Sequence, residues 1–151
     1  MAESKATRAS GRADQARPTG SERELVRLRR DPQDQGLWLL PGPAAVAAIL
    51  CEVRTGTVIT ESELQARLLA RYGGERVGPR ALRAAVRALA ASAAQGRGRQ
   101  TRCPLWRLLR DDGSVAPDVP LAPLYCAARL REEGQRVGWD HGRWKVLPRP
   151  A

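Results

Sequence analysis

The sequence contains no phenylalanine, a single histidine and a single methionine, and its only lysines are Lys5 and Lys145. One histidine, His141, excludes a histidine-rich metal site. The three cysteines, Cys51, Cys103 and Cys126, are an odd number without a CxxC spacing. They fit neither a disulfide framework nor a zinc site and read as reduced thiols of small apolar character. No metal and no cofactor is expected. Long apolar runs are also missing. The longest, near Leu37 to Leu50, is broken by Pro41, Gly42 and Pro43, too short to span a bilayer. No membrane partner is therefore expected. The N-terminus is polar, with no apolar stretch before a cleavage site, so an intracellular, cytoplasmic protein is expected.

What the sequence has in abundance is arginine. Lys and Arg together number 26 against 16 Asp and Glu, a formal charge of +10. Such a balance points to a polyanionic partner. A GC-rich genome can replace Lys by Arg but creates no excess of charge. Residues 1–36 hold eight positive and six negative side chains, a net of +2, so +8 of the +10 lies in residues 37–151. The basic character belongs to the part expected to fold.

Residues 1–36 carry few apolar groups and are expected to form a disordered tail. A short helix is predicted within it, with Ser21 as N-cap, Glu24 at the capping-box position, then Leu25 and Leu28. Residues 37–151 are expected to form one domain. Pro43 opens a helix to about Arg54, with Val46, Ile49, Leu50 and Val53 on one stripe, and Thr57 to Ile59 is an extended link. Thr60 and Glu63 form a capping box for a second helix with Leu64, Leu68 and Tyr72 inward, stopped at Gly73-Gly74. Gly78-Pro79 opens a third helix to about Ala94. Residues 95–102 read as a basic loop, 103–110 as extended and Asp112-Gly113 as a turn. A fourth helix is predicted from about Leu121 to Glu133, with Gly134 as its stop. Val137 to Leu147 reads as a hairpin around Asp140-His141-Gly142. Cys51 and Cys126 fall on helices and are expected in the core. The class is mainly α with a small β content, and the second and third helices stand in helix-turn-helix order.

The third helix is predicted to have two faces. Leu82, Ala85, Val86 and Leu89 recur at core spacing. Arg80, Arg83 and Arg87 recur on another face, with Arg76 just before the helix and alanines between them. Guanidinium groups in such a row suit phosphate oxygens and base edges. The competing reading is a solvated basic face.

Several fragments resemble a known family in order and spacing. GTVITESEL (56–64), GPRALRAAVRAL (78–89), PLWRL (104–108), RDDGSV (110–115) and LREEG (130–134) resemble the DNA-binding domain of the alkylguanine-DNA alkyltransferases. The match is closest to their cysteine-less, alkyltransferase-like relatives. The resemblance implies a winged helix-turn-helix-like domain that binds double-stranded DNA, extrudes an O-alkylated guanine, and flags it for excision-repair proteins. The family's acceptor cysteine falls at Leu105 and its activating histidine at Trp106, so alkyl transfer has no nucleophile and no enzyme is expected. Cys103 precedes Pro104 instead of following it and does not replace the missing thiol. Arg83 falls at the arginine that enters the duplex behind a flipped base. Leu105 and Trp106 are the implied walls of the base pocket, with a core tryptophan as the competing reading of Trp106. Arg107 keeps the family's arginine, as a DNA contact or as a structural partner of Asp111 or Asp112. Glu133 falls at the family's relay glutamate, with an exposed helix-end carboxylate as the alternative. Two departures weaken base flipping. The family's phosphate-rotating tyrosine falls at Glu61, where a carboxylate repels phosphate, and Val86 replaces a small glycine. Both favour the alternative of a DNA-binding regulator or nucleoid-associated protein without lesion preference.

Overall fold

The computed structural model describes residues 25–94, 103–115 and 123–148. The chain begins with a β-hairpin. Strand β1 (Val26–Arg30) pairs antiparallel with β2 (Leu37–Pro41), Leu28 opposite Leu39 and Arg29 opposite Trp38. The boundary expected between residues 36 and 37 falls inside this hairpin, so the disordered tail is corrected from Leu25 onward. Leu25 and Leu28 are not helical either. Val26 and Leu28 alternate with Arg27 and Arg29, the period of a strand. The connecting turn closes on its own polar groups. Asp31 N donates to the Gly36 carbonyl at 2.8 Å, and the Asp34 carboxylate accepts from Gly36 N at 2.7 Å. Ser21 and Glu24 lie outside the described residues.

Helix α1 (Pro43–Leu50) starts with proline at its first turn, where the missing N–H costs nothing. A Cβ on Gly42 would lie 2.8 Å from the Leu25 carbonyl oxygen, so the hairpin and α1 can abut only at glycine. The helix ends earlier than the sequence suggests. Cys51 is exposed, not in the core, because the chain leaves helical geometry as Val53 turns inward. Strand β3 (Ile59–Thr60) then leads directly into helix α2 (Glu61–Tyr72). The capping box forms as predicted: Glu63 N donates to Thr60 Oγ1 at 3.3 Å and Thr60 N to Glu63 Oε2 at 3.0 Å. Leu64, Leu68 and Tyr72 are buried. Gly73 and Gly74 end the helix at φ of +92° and +98°, a region closed to most side chains.

Strand β4 (Arg76–Val77) adds parallel to β2, and helix α3 (Pro79–Ala94) follows. Residues 95–102, the expected basic loop, lie outside the described residues. Where an extended segment was predicted, Leu105–Arg107 form a 3-10 turn before β5 (Leu108–Leu109), which pairs parallel with β3. Helix α4 (Pro123–Glu132) ends near Gly134 at φ +87°. The closing hairpin is β6 (Val137–Asp140) and β7 (Arg143–Val146), with Trp139 edge-on to Trp144 at 5.3 Å. Among the described residues there are thus four helices and three small sheets.

The main core joins β2, α1, α2, α3 and Leu105, and a smaller one joins Leu109, Val115, Cys126 and Leu130 beneath the closing hairpin. No helix among the described residues is long and apolar enough to cross a membrane.

Candidate nucleic-acid interface

Helix α3 is divided as its sequence dictates. Leu82, Ala85, Val86, Leu89 and Ala90 are buried against α1, α2 and β2. Arg80, Arg83 and Arg87 are exposed on the opposite arc, flanked on one side by the exposed Ala84 and Ala88. These alanines keep the surface beside the arginine row low, so a polyanion can approach the helix backbone there. Among the described residues, neither Arg80 nor Arg83 pairs with a carboxylate. Arg87 makes a contact within the chain.

Arg76 does not continue this row. It lies on β4, its Nη2 is 2.7 Å from Asp34 Oδ2, and its guanidinium covers the Trp38 ring at 5.2 Å. It is thus paired with Asp34 at a half-exposed site, on the strand before the helix and not in the helix row.

Arg107 is corrected more strongly. It pairs with neither Asp111 nor Asp112. Its Nε and Nη2 grip Glu133, the closest contact 2.6 Å, while Nη1 donates to the Val53 carbonyl at 2.7 Å and Nη2 to Thr55 Oγ1 at 3.1 Å. Both side chains are about nine-tenths buried, with relative exposures of 11% and 10%. Arg107 therefore ties the 3-10 turn to the end of α1 and the end of α4. Glu133 is no surface carboxylate. Its hydrogen bonds from Arg107 hold its carboxyl below the usual glutamate value, against the opposing effect of burial, and Trp106 Nε1 adds a further bond at 3.1 Å.

The two implied walls of the base pocket are placed differently. Leu105 is 1% exposed and sits in the main core. Arg129 covers one face of the Trp106 ring at 4.5 Å. Trp106 lines an open cavity of about 480 Å³ with Cys51, Thr55, Pro104, Arg129 and Glu133, and a second of about 480 Å³ lies beside Arg83, with Leu64, Leu82, Val86 and Leu108 as apolar lining and Glu61, Gln65, Arg110 and Asp111 as polar lining. Sequence reasoning missed Gln65, Arg110 and Asp111 there, although RDDGSV directly follows PLWRL. Asp111 accepts hydrogen bonds from Ser62 N and Oγ, which lower its carboxyl value and keep it charged at the N-terminal turn of α2.

The thiols are placed unequally. Burial, with the Cys51 sulfur beside it, pushes Cys103 up to about 12, and burial raises Cys126 to about 11. Thiolate is the reactive form, so both are expected to be inert near neutral pH. Iodoacetamide on the native protein at pH 7.5 is expected to add one equivalent, on Cys51, and three after denaturation. A rapid native adduct on Cys103 would contradict this placement.

No protein-family model matches the chain, and no curated protein does. A solved structure similar to it is that of S. pombe Atl1 in complex with damaged DNA containing O6-carboxymethylguanine. The two are 21% identical, with a TM-score of 0.49, over 70% of this chain and 87% of that chain.

Proposed function

We propose that this protein is a non-enzymatic duplex-DNA-binding protein. It grips the phosphate backbone with Arg80, Arg83 and Arg87 and receives an extruded O-alkylated guanine in the cavity beside Arg83. The observation that carries the reading is the exposed arginine arc of α3 in a chain of net charge +10. Guanidinium donors in that arrangement bind phosphate through charge-assisted hydrogen bonds. Leu105 at the position of the acceptor cysteine, and the high values of Cys103 and Cys126, support binding without alkyl transfer. The excision-repair partner and the cytoplasmic, nucleoid-associated location are part of the same proposal and rest on the family resemblance alone.

A second reading, DNA binding without lesion preference, is favoured by the covered Trp106 ring and the buried Leu105. Two short duplexes identical except for one O-methylated guanine separate the two readings. The lesion reading expects at least about tenfold tighter binding of the modified duplex, roughly 1.4 kcal/mol, and no methyl mass gained by the protein. Equal affinities assign the protein to the second reading. A gain of one methyl group would overturn the non-enzymatic proposal.

A further inference from the structure

The β1–β2 hairpin presents cationic groups that the arginine row of α3 does not use. Cross-strand partners share a face of a sheet. Leu28 and Leu39 lie on one face, and Leu39 is fully buried there. Arg27 opposite Leu40 and Arg29 opposite Trp38 therefore lie on the other face. Both arginines are exposed, and among the described residues neither pairs with a carboxylate. The nearby acids are committed elsewhere. Asp31 accepts from Trp38 Nε1 at 3.1 Å and from Gln33 N at 2.8 Å, and Asp34 holds Arg76.

This sheet face adjoins α3. Leu40 packs over Gly78, where a Cβ would meet its Cδ2 at 2.6 Å, and Gly78 leads into the helix. Arg27, Leu40, Ala81 and Ala84 line one shallow groove between hairpin and helix. Along the exposed arc of α3, the order is Arg83, Arg87, Arg80, then the alanines, then this groove. The small side chains thus form a low floor with arginines on both sides: the helix row on one, Arg27 and Arg29 on the other.

We infer that the β1–β2 hairpin is a second phosphate-binding wall, through which Arg27 and Arg29 hold the backbone of the same DNA duplex that α3 engages. The inference rests on the proposed DNA-binding function and extends it to a separate element. Duplex DNA suits two parallel rows of guanidinium groups because it carries phosphates on both edges of a groove. Contacts of this kind add affinity without adding sequence preference.

The test uses the full chain and a mixed-sequence duplex, with affinity measured over a salt series. Each phosphate contact contributes about 0.9 to the slope of log affinity against log salt. R27A/R29A is expected to reduce that slope by about 1.8, so that the affinity lost between 50 and 200 mM salt shrinks about twelvefold. The weakening should be the same on unrelated sequences, and R27K/R29K should restore the slope. Should the alanine pair fail to fold by circular dichroism, R27Q/R29Q, which keeps much of each aliphatic stem, takes the same test. If wild type binds and R80A/R83A lowers the slope while the hairpin variant leaves it unchanged, the hairpin inference is overturned and the DNA reading stands. Absence of wild-type binding sinks both. If the hairpin variant weakens binding to an RNA duplex alone, the surface belongs to RNA and the inference is overturned.

Discussion

Replacing Glu133 with alanine is expected to destabilise the protein by about 3–5 kcal/mol, the usual cost of removing one partner of a buried ion pair. The Arg107 guanidinium would remain, 11% exposed, with its Nε and one Nη2 contact unanswered. The pair also joins segments far apart in sequence: Val53 and Thr55 after α1, the 3-10 turn, and the end of α4. Losing it loosens α4 from the rest. Urea unfolding of E133A and of R107A/E133A checks this, and the double variant should cost clearly less than the sum of the two single ones. The pair also sets an acid limit. Because the folded carboxyl sits below its ordinary value, its contribution is complete above about pH 5 and is lost as pH falls through the depressed value. Wild-type stability should therefore drop more steeply below that range than the stability of E133Q. Parallel acid profiles for the two would contradict the role given to the pair.

Removing the helix row should have the largest effect on binding. R80A/R83A/R87A is expected to weaken duplex affinity at least about a hundredfold near 100 mM salt, roughly 2.7 kcal/mol, and to reduce the salt slope by about 2.7. Stability should change little, because all three side chains are exposed and surface substitutions usually cost within about 0.5 kcal/mol. Arg83 alone distinguishes the two readings. If it fills the space left by an extruded base, R83A abolishes preference for the modified duplex while keeping most of the general affinity. Loss of both in equal proportion would make it a phosphate contact like its neighbours.

Local signals in the sequence carried much of the fold. The Thr60/Glu63 capping box, the inward stripe of α2 and the two faces of α3 depend on residues within a few positions of one another, and all were legible. The closing hairpin was legible from Asp140-His141-Gly142, where His141 takes φ +47°. The first hairpin was not. Four of the five β1 residues are exposed, so arginines at alternate positions resemble a solvated tail. Nothing local to VRLRR shows that β2 will pair with it. The two-residue parallel pairs, β2 with β4 and β3 with β5, are set by tertiary contact and leave no periodic trace.

The candidate site divides the same way. The row of Arg80, Arg83 and Arg87 could be read from spacing. The fate of Arg107 could not, because its partner Glu133 stands 26 residues away. Leu105 and Trp106 are neighbours in sequence, yet Arg129 over the indole and the core around Leu105 set their surroundings. The cavity beside Arg83 brings residues of α2, α3 and the segment after the 3-10 turn together, a meeting that only the folded chain reveals.

Binding of the wild-type protein to a plain duplex over 50 to 300 mM salt shows whether both arginine rows meet DNA. Five arginines, three on α3 and two on β1, predict a linear plot of log affinity against log salt with a slope near −4.5, about 0.9 for each contact. A slope near −2.7 would keep the helix row and remove the hairpin. No binding at 50 mM, or binding indifferent to salt, would mean that neither row holds the phosphate backbone.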